Sequence, residues 1–420
     1  MLHKRLTLPP TLRRSVHVLG VTQIIGWGTT FYAPAVLAPA LISDMGWSRT
    51  ALFGAFSMSL LLGGLLAPHA GRAIDRLGGR AVMTAGSAIA ALGLCVMALA
   101  SDLPTYFAAW AILGLAMRLA LYEAAFATLT TAAGQEARRS ISVLTLYGGL
   151  ASTVFWPIGW FLIENLGWRA TCLTFAVLNL VVCLPLHARA LPPRHAAAKR
   201  EELPSAAVTA APLLQNGRDR RLALIGLTIA FALMKFVDAA ISMHLIDTLI
   251  AFGLDPDTAV SISALRGIGQ VAGRLWETVF AGALGPMTLC LVAIGLAPLA
   301  FMVLFFVASQ VSGALFSFVQ GASNGLVTIA GAVAPLLLFG PKGYGALTGA
   351  MAMPALLASA SAPALHALMV DRFGHRAALA VELAAVLIAT LLVATLAVWL
   401  RRQPSFPPHV PRGGVQREGQ

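Results

Sequence analysis

Residues 50–100 read TALFGAFSMSLLLGGLLAPHAGRAIDRLGGRAVMTAGSAIAALGLCVMALA, two apolar stretches joined by a short, basic, glycine-rich segment. Each apolar stretch is about 20 residues long, the length of an α-helix that crosses the hydrocarbon core of a bilayer. The basic residues between them, Arg72, Arg76 and Arg80, are typical of a short loop on the cytoplasmic face of a membrane. This stretch therefore predicts a helical membrane protein.

The same pattern continues through the whole 420-residue chain, which is 58% hydrophobic and only 11% charged. Soluble domains are about 25% charged, so the composition excludes an ordinary soluble fold. The predicted fold class is an all-α membrane protein. We predict twelve membrane-spanning helices, over residues 17–42, 50–73, 80–100, 103–132, 140–163, 168–188, 221–251, 257–281, 286–306, 309–338, 343–369 and 376–400.

One long connection divides these helices into two groups of six. Residues 1–188 are predicted to form the first six-helix bundle, residues 189–220 a cytoplasmic linker, and residues 221–402 the second bundle. Residues 403–420 are rich in proline and glycine, and we predict a disordered tail.

The distribution of basic residues predicts the orientation. Most of the 29 Lys and Arg residues fall on one side when both termini are placed in the cytoplasm. Four fall on the other side: Arg49, Arg169, Arg372 and Arg376. Because basic loops stay in the cytoplasm, the net charge of +12 indicates membrane topology and not a nucleic-acid partner. We expect a multi-pass protein of a bacterial-type inner membrane.

The two groups of helices carry related sequences. Gly71-Arg72-Ala73-Ile74-Asp75 matches Gly273-Arg274-Leu275-Trp276-Glu277, and Glu164–Ala170 matches Asp371–Ala377 at nearly the same offset. Matches at equivalent places indicate duplication of a six-helix unit. Parallel repeats of this kind build transporters that rock one half against the other.

The loop pattern Gly71-x-x-x-Asp75-Arg76-x-Gly78-x-Arg80 resembles the signature loop of the major facilitator superfamily, at the place where that family carries it. The resemblance covers essentially the whole chain. It implies a secondary transporter whose cytoplasmic side is braced by this loop in one conformation. The residues that it assigns to the conformational gate are Gly71, Asp75, Arg76, Gly78, Arg80 and, in the degenerate second copy, Gly273, Arg274 and Glu277.

Three shorter motifs resemble the bacterial branch of this superfamily related to monocarboxylate and oxalate/formate carriers. They are Gly46-Trp47-Ser48-Arg49, Gly167-Trp168-Arg169, and Tyr122-Glu123 with Phe126. This resemblance implies a carboxylate substrate.

Five ionisable residues lie near the middle of predicted helices, where charges are costly and usually functional. They are Arg118, Glu123, Lys235, Asp238 and Arg266. Lys235 and Asp238 are three residues apart, so they share a helix face and can pair. Arg118 and Glu123 are five apart, about 140° around a continuous helix, which predicts that they do not pair.

Arg266 has no acidic residue within one turn of its own helix, and its planar guanidinium suits a carboxylate. The carriers that the chain resembles are thought to use an arginine on the eighth helix in this way. The alternative roles are a structural bridge for Lys235 and Asp238, a structural pair across the bundle for Arg118, and a permanent ion pair for Glu123. The predicted substrate-binding residues are Arg266, Arg118, Lys235, Asn324, Gln23 and Tyr32. Glu123 and Asp238 are the predicted proton-coupling residues.

The sequence contains no Walker loop and no Cys/His cluster with metal-ligand spacing, which argues against ATP drive, a metal site and other cofactors. We therefore predict a monomeric secondary active transporter, not an enzyme. It would move a small organic anion with a proton or a counter-anion. The alternative is an efflux pump for a drug-like compound or a toxic oxyacid such as arsenite. A non-transporting membrane sensor is a third hypothesis.

Overall fold

The structure is a computed structural model that describes residues 10–133, 136–191, 214, 217–280, 284–307, 309–340 and 344–402. Most of the predicted linker 189–220 and the whole predicted tail 403–420 lie outside the described residues. The regular elements of the described part are helical. They are α1 (Pro10–Gly26), π1 (Trp27–Phe31), α2 (Ala33–Met45), α3 (Arg49–Leu77), α4 (Gly79–Ala98), α5 (Leu103–Ala120), α6 (Tyr122–Ala133), α7 (Ala137–Gly149), α8 (Ala151–Leu178), π2 (Asn179–Cys183), α9 (Leu184–Ala190), α10 (Gly217–Ala251), α11 (Pro256–Phe280), α12 (Pro286–Phe306), α13 (Gln310–Phe339), α14 (Tyr344–Phe373) and α15 (His375–Arg401).

Ten helical stretches of the described chain are long and apolar enough to cross a membrane, which confirms the helical membrane class. One of the ten, Arg139–Ala190, is 52 residues long. It contains Gly167, whose φ of +79° interrupts the helix of α8. The charged helix α11 is not among the ten. The count of twelve spans therefore stays a prediction.

Four of the helices that the sequence predicts are interrupted. Residues 140–163 are divided at Leu150, and residues 168–188 contain π2. Residues 17–42 contain the π-helical turn π1, after which Tyr32 joins π1 to α2. Residues 103–132 break at Leu121, whose φ of −88° and ψ of −160° are extended. The prediction of an unbroken helix over 103–132 is wrong at Leu121, since an apolar sequence reports helix length but not local changes of backbone geometry.

Glycines allow the helices beside these breaks to pack closely. A Cβ on Gly114 of α5 would lie 2.5 Å from the carbonyl oxygen of Ser59 in α3. A Cβ on Gly321 of α13 would lie 2.0 Å from the carbonyl oxygen of Arg266 in α11. Such small-residue contacts are typical of membrane helices, where backbone approach supplies the packing energy. They fix Arg118 and Arg266 on rigid helix pairs.

At one end of the bundle, an ion pair and a hydrogen bond join the part of the chain before residue 191 to the part after residue 217. We call this the Arg49 end. Arg49 of α3 forms an ion pair with Asp247 of α10, and Thr50 Oγ1 donates to Asp371 Oδ2 of α14 at 2.7 Å. The other end contains the turn between α3 and α4, and we call it the Gly78 end.

Candidate functional site

A cavity of about 330 Å³ lies between the two parts of the chain. Its walls come from both, with π1, α3, α5, α6 and α7 on one side and α10, α11, α13 and α14 on the other. Its aromatic and charged lining residues are Trp27, Phe31, Tyr32, Tyr122, Arg118, Glu123, Lys235, Asp238 and Arg274. A second cavity, of about 410 Å³, lies between α8 and α11 near the Arg49 end, away from the central charges.

The wall formed by the first part of the chain is aromatic. The ring centroids of Trp27 and Tyr122 are 5.0 Å apart, and those of Trp27 and Phe31 are 4.9 Å apart. The wide turn of π1 brings Trp27, Phe31 and the adjoining Tyr32 to the same cavity. Single π-helical turns are frequent at functional sites because they re-aim side chains within a helix.

Gln23 is completely buried and is not among the lining residues. Its Nε2 donates to the carbonyl oxygen of Ala120 at 2.8 Å, and its Oε1 accepts from Trp27 Nε1 at 3.1 Å. Ala120 is the last residue of α5, where the helix breaks. Gln23 therefore holds the two broken helices together behind the aromatic wall, whereas the sequence predicted a substrate contact.

Arg118 and Glu123 form an ion pair, with 3.0 Å between Nη1 and Oε1. The prediction that they do not pair is wrong, because the extended residue Leu121 between them removes the helical 140° separation. Arg118 Nε also donates to the carbonyl oxygen of Gly63 at 2.8 Å. The Glu123 side chain keeps 60% of its surface exposed, so this pair borders the open part of the cavity.

Arg266 is almost completely buried and is committed to protein partners. Its Nη2 pairs with Asp238 Oδ1, and its Nε donates to Gln320 Oε1 at 2.8 Å. Arg266 is not among the lining residues, although Asp238 is. Arg266 therefore pairs with a carboxylate of another helix in this conformation, and its role in substrate binding stays a prediction.

Lys235 lines the cavity one turn before Asp238. The suggested pair between Lys235 and Asp238 is not formed, because Asp238 turns to Arg266. Ion pairs are contacts of at most 4.0 Å between a basic nitrogen and a carboxylate oxygen. Among the described residues, none of the ion pairs to Asp or Glu includes Lys235. Lys235 is thus a cation that faces the cavity without a protein counter-charge among these residues.

Two more predicted residues line the cavity from opposite sides. Tyr32 lies next to Arg266 and Asp238, although it belongs to the first part of the chain. Asn324 of α13 contributes a polar side chain from the second part. The sequence analysis missed Gln270, which also lines the cavity, and it assigned Arg274 to the gate and not to the cavity.

The two copies of the gate motif have different environments. Gly78 has a φ of +82° and makes the turn into α4, and a Cβ on Gly71 would meet nothing within 4 Å. Asp75 is exposed and has no ion pair within 4.0 Å among the described residues, and Arg76 is also exposed. Arg80 is partly buried.

The second copy is packed inside the bundle. A Cβ on Gly273 would lie 2.5 Å from the carbonyl oxygen of Ala322 in α13. Arg274 is buried and donates to the carbonyl oxygen of Thr145 in α7, while Glu277 is partly buried. The second copy thus links the two parts of the chain in this conformation, and the first copy does not.

Comparison with known proteins agrees with this geometry. Among solved structures, the nucleoside transporter NupG matches with 15% identity and a TM-score of 0.69 over 93% of this chain and 99% of NupG. A bacterial homolog of the human lysosomal transporter Spinster, in an inward-facing and occupied conformation, matches with 12% identity and a TM-score of 0.68 over 95% and 100%. At this identity the similarity shows the fold alone.

No functionally curated protein matches the chain. The sequence model described as the Major Facilitator Superfamily matches residues 18–328, which is well over half of the chain. The resemblance to the narrower monocarboxylate and oxalate/formate branch stays a prediction. The protein is a multi-pass membrane protein with a transporter fold, and it belongs to the major facilitator superfamily.

Proposed function

We propose that this protein is a secondary active transporter of a small organic monoanion, a carboxylate with a planar apolar body, bound in the central cavity. The observation that carries the proposal is Lys235, which faces the cavity without a carboxylate partner among the described residues. The aromatic wall opposite it supplies the surface for the apolar body.

The charges of the cavity support an anion. Arg118 is neutralised by Glu123, and Asp238 is neutralised by Arg266. The positive charge of Lys235 remains, and a partly buried ammonium gains most from a carboxylate that forms a charge-assisted hydrogen bond.

The aromatic wall supports a planar apolar body. Trp27, Phe31, Tyr32 and Tyr122 all line the cavity, and aromatic rings prefer stacked or edge-to-face contacts with other rings. A cavity of about 330 Å³ is at the lower end of the range for small-molecule sites. A single ring with one carboxylate suits both its size and its two chemically different walls.

Proton coupling is assigned to Asp238. In the observed conformation its carboxylate holds Arg266. Protonation of Asp238 would remove that attraction and free Arg266 to contact the substrate carboxylate beside Lys235, with Tyr32 and Asn324 at the sides. In this order of events Arg266 binds the substrate only after Asp238 has taken up a proton. Glu123, which pairs with Arg118, is the second candidate.

Alternating access completes the proposal. We place the Arg49 end in the periplasm and the Gly78 end in the cytoplasm, since the basic loops fall on the Gly78 side. Twelve spans result when Gly167 divides Arg139–Ala190 into two and α11 is added to the candidates. The pairing at the Arg49 end then corresponds to an inward-facing conformation, the one named for the Spinster homolog.

The test is counterflow in proteoliposomes with purified protein. The panel contains labelled aromatic and aliphatic carboxylates, the neutral amides of the same compounds, arsenite and an aromatic cation. We expect exchange of an aromatic carboxylate but not of its amide. Replacing Lys235→Ala should raise the apparent Kd about 10- to 150-fold, because a charge-assisted hydrogen bond contributes about 1.5–3 kcal/mol.

Two controls sharpen this test. Lys235→Arg keeps the positive charge and should retain most of the binding. Arg169→Ala removes an exposed ion pair with Asp44 outside the cavity and should leave the Kd unchanged. Equal transport of acid and amide, or an unchanged Kd in Lys235→Ala, would show that the substrate is not an anion held by Lys235.

The exposed carboxylate of Glu123 beside the Tyr122–Phe126 ring stack favours a second candidate, export of a drug-like aromatic cation. In that case flux of the cation would survive Lys235→Ala and Arg266→Ala but would be lost in Glu123→Gln. The same liposome panel separates the two functions. Arsenite flux that survives all three variants would indicate an oxyacid exporter.

A further inference from the structure

Three buried ionisable side chains form a cluster outside the central cavity. His244 of α10, His366 of α14 and Glu382 of α15 are 0%, 4% and 1% exposed. His366 Nδ1 lies 2.6 Å from Glu382 Oε1. The imidazole rings of His244 and His366 are stacked, with centroids 4.1 Å apart and planes 14° apart.

The hydrogen bonds show where protons are held. His244 Nε2 lies 3.0 Å from the carbonyl oxygen of Pro363, which can only accept, so this nitrogen carries a hydrogen. The short contact between His366 and Glu382 also holds one proton. Three atoms have no partner among the described residues: His244 Nδ1, His366 Nε2 and Glu382 Oε2. The cluster can therefore accept a further proton without rearrangement of its heavy atoms.

Unpartnered polar atoms at this depth are unusual in a purely structural contact, because buried polar groups are nearly always hydrogen-bonded. Ionisable residues inside a membrane bundle are costly and are retained mainly for function. No group of three or more His, Cys, Asp or Glu side chains within the described ranges is arranged to hold a metal ion. A proton is the ligand that fits the vacant nitrogen positions.

Access to the cluster is controlled by α3, which belongs to the other part of the chain. The Phe53 ring packs on the His244 ring with centroids 4.0 Å apart. Ser57 Oγ accepts a hydrogen bond from the backbone N–H of Ala364 at 3.2 Å. These contacts keep the Arg49 end closed over the two histidines, and separation of α3 from α14 would expose them to water.

Other basic groups lie around the cluster while this end is closed. Arg49 from α3 and His375 from the start of α15 are near His244, together with His366. Asp247 and Asp371 are held by Arg49. Glu382 is the carboxylate in contact with His366, so one positive charge on the cluster is balanced and a second is not. A buried net charge is costly unless it is paired or hydrated.

We propose that His244, His366 and Glu382 form a proton-binding site that loads a proton from the Arg49 side when α3 moves away from α14, and releases it when the two helices close. The proton adds to His244 Nδ1 or His366 Nε2 and raises the cluster charge by one. Protonation thereby favours the open Arg49 end. This site is separate from the substrate cavity and does not depend on the nature of the substrate.

The test measures the conformation of the Arg49 end directly, without substrate. Spin labels are attached at Ser43→Cys and Arg372→Cys, two exposed positions at this end on opposite parts of the chain. Cys95, the partly buried native cysteine, is replaced. In the otherwise unchanged protein we expect the ratio of open to closed populations to rise at least about tenfold from pH 8 to pH 5. One proton that binds preferentially to one state changes this ratio by up to about tenfold per pH unit.

The conservative variants Glu382→Gln and His366→Asn should each flatten this pH dependence. His244→Asn is a third variant in case either of the others fails to fold. His69→Asn, an exposed histidine of α3, is the matched control and should leave the pH dependence unchanged.

Two outcomes would overturn the proposal. The first is a ratio that does not change with pH in the labelled parent protein. The second is a pH dependence that persists in all folded cluster variants or is lost only in His375→Asn, which would assign it to His375. Because no substrate is present, failure of the carboxylate proposal leaves this result unaffected.

Discussion

The two ends of the bundle are held in different ways. At the Arg49 end, Arg49 pairs with Asp247, and Trp160 Nε1 donates to Asp257 Oδ1 at 2.8 Å. At the Gly78 end, the motif carboxylate of Asp75 is exposed and has no ion pair within 4.0 Å among the described residues. Asp75, the acidic residue of the family motif, therefore stabilises no observed contact between the two parts of the described chain in this conformation.

This difference indicates a division of labour. Polar contacts that join the two parts of the chain at the Arg49 end stabilise only the conformation in which that end is closed. Residues that make no such contact in this conformation can stabilise the one in which it is open. Helix–helix contact reaches from the Arg49 end to about the level of the cavity, where Thr153 Oγ1 donates to the carbonyl oxygen of Ala264 at 2.7 Å. Variants in each region should shift the populations in opposite directions.

The largest effect is expected from Gly267→Ala. A Cβ there would lie 2.2 Å from Thr153 Oγ1 and 2.6 Å from the carbonyl oxygen of Gly149, and backbone cannot yield as a side chain can. Overpacking costs about 1–3 kcal/mol, so the ratio of open to closed Arg49 ends should rise roughly 5- to 150-fold. Distances between spin labels at positions 43 and 372 measure this ratio.

Gly226→Ala is the control for that variant, because a Cβ on Gly226 of α10 would meet nothing within 4 Å. Its ratio should equal that of the parent protein. A closed population that is unchanged in Gly267→Ala would mean that contact between α8 and α11 does not hold the conformation.

A smaller shift is expected from Arg49→Ala. The change removes the pairing with Asp247 and Asp371, whose side chains are about one-fifth to one-third exposed. Partly exposed pairs contribute on the order of 1 kcal/mol, so the ratio should move roughly fivefold toward the open Arg49 end. The same labels report the change.

Arg169→Ala provides the comparison at the same end of the bundle. Its ion pair with Asp44, 2.7 Å long, lies within the first part of the chain and does not cross between the two parts. Loss of this pair should leave the populations unchanged. Equal shifts in both variants would attribute the effect to general loss of charge.

The smallest effect is expected from Asp75→Asn. Since Asp75 makes no ion pair in the observed conformation, the change should act on the opposite one and raise the closed population of the Arg49 end about two- to fivefold. Arg72→Gln, a charge change at an exposed position in the same turn, should have no effect. A shift toward the open Arg49 end in Asp75→Asn would reject the predicted gate role.

The predicted site shows what a pattern of residues can report. Lys235, Asp238, Asn324 and Tyr32 line the cavity as expected, because ionisable and polar side chains within long apolar stretches have few tolerable locations other than the interior. The pairing of charges was not predictable in the same way. Arg266 of α11 pairs with Asp238 of α10. The spacing of residues along one helix gives no information about which helices pack beside it.

Arg118 and Glu123 make the same point at the level of the backbone. Their spacing excludes a pair on a continuous helix, yet one extended residue, Leu121, brings them to 3.0 Å. Leu121 has no sequence signature of a helix break, since leucine is a good helix former. The carbonyl of Ala120 is satisfied by Gln23 from another helix, and that contact exists only after the helices have packed.

The sequence by itself determined the membrane class, the helical architecture and the family, because hydrophobic length and the motif at Gly78 are local properties of the chain. The tertiary structure alone decided which charges are neutralised, which cation faces the cavity, and which end is closed. These are properties of contacts between helices far apart in sequence. Their free energies depend on distances of a few ångströms that only packing sets.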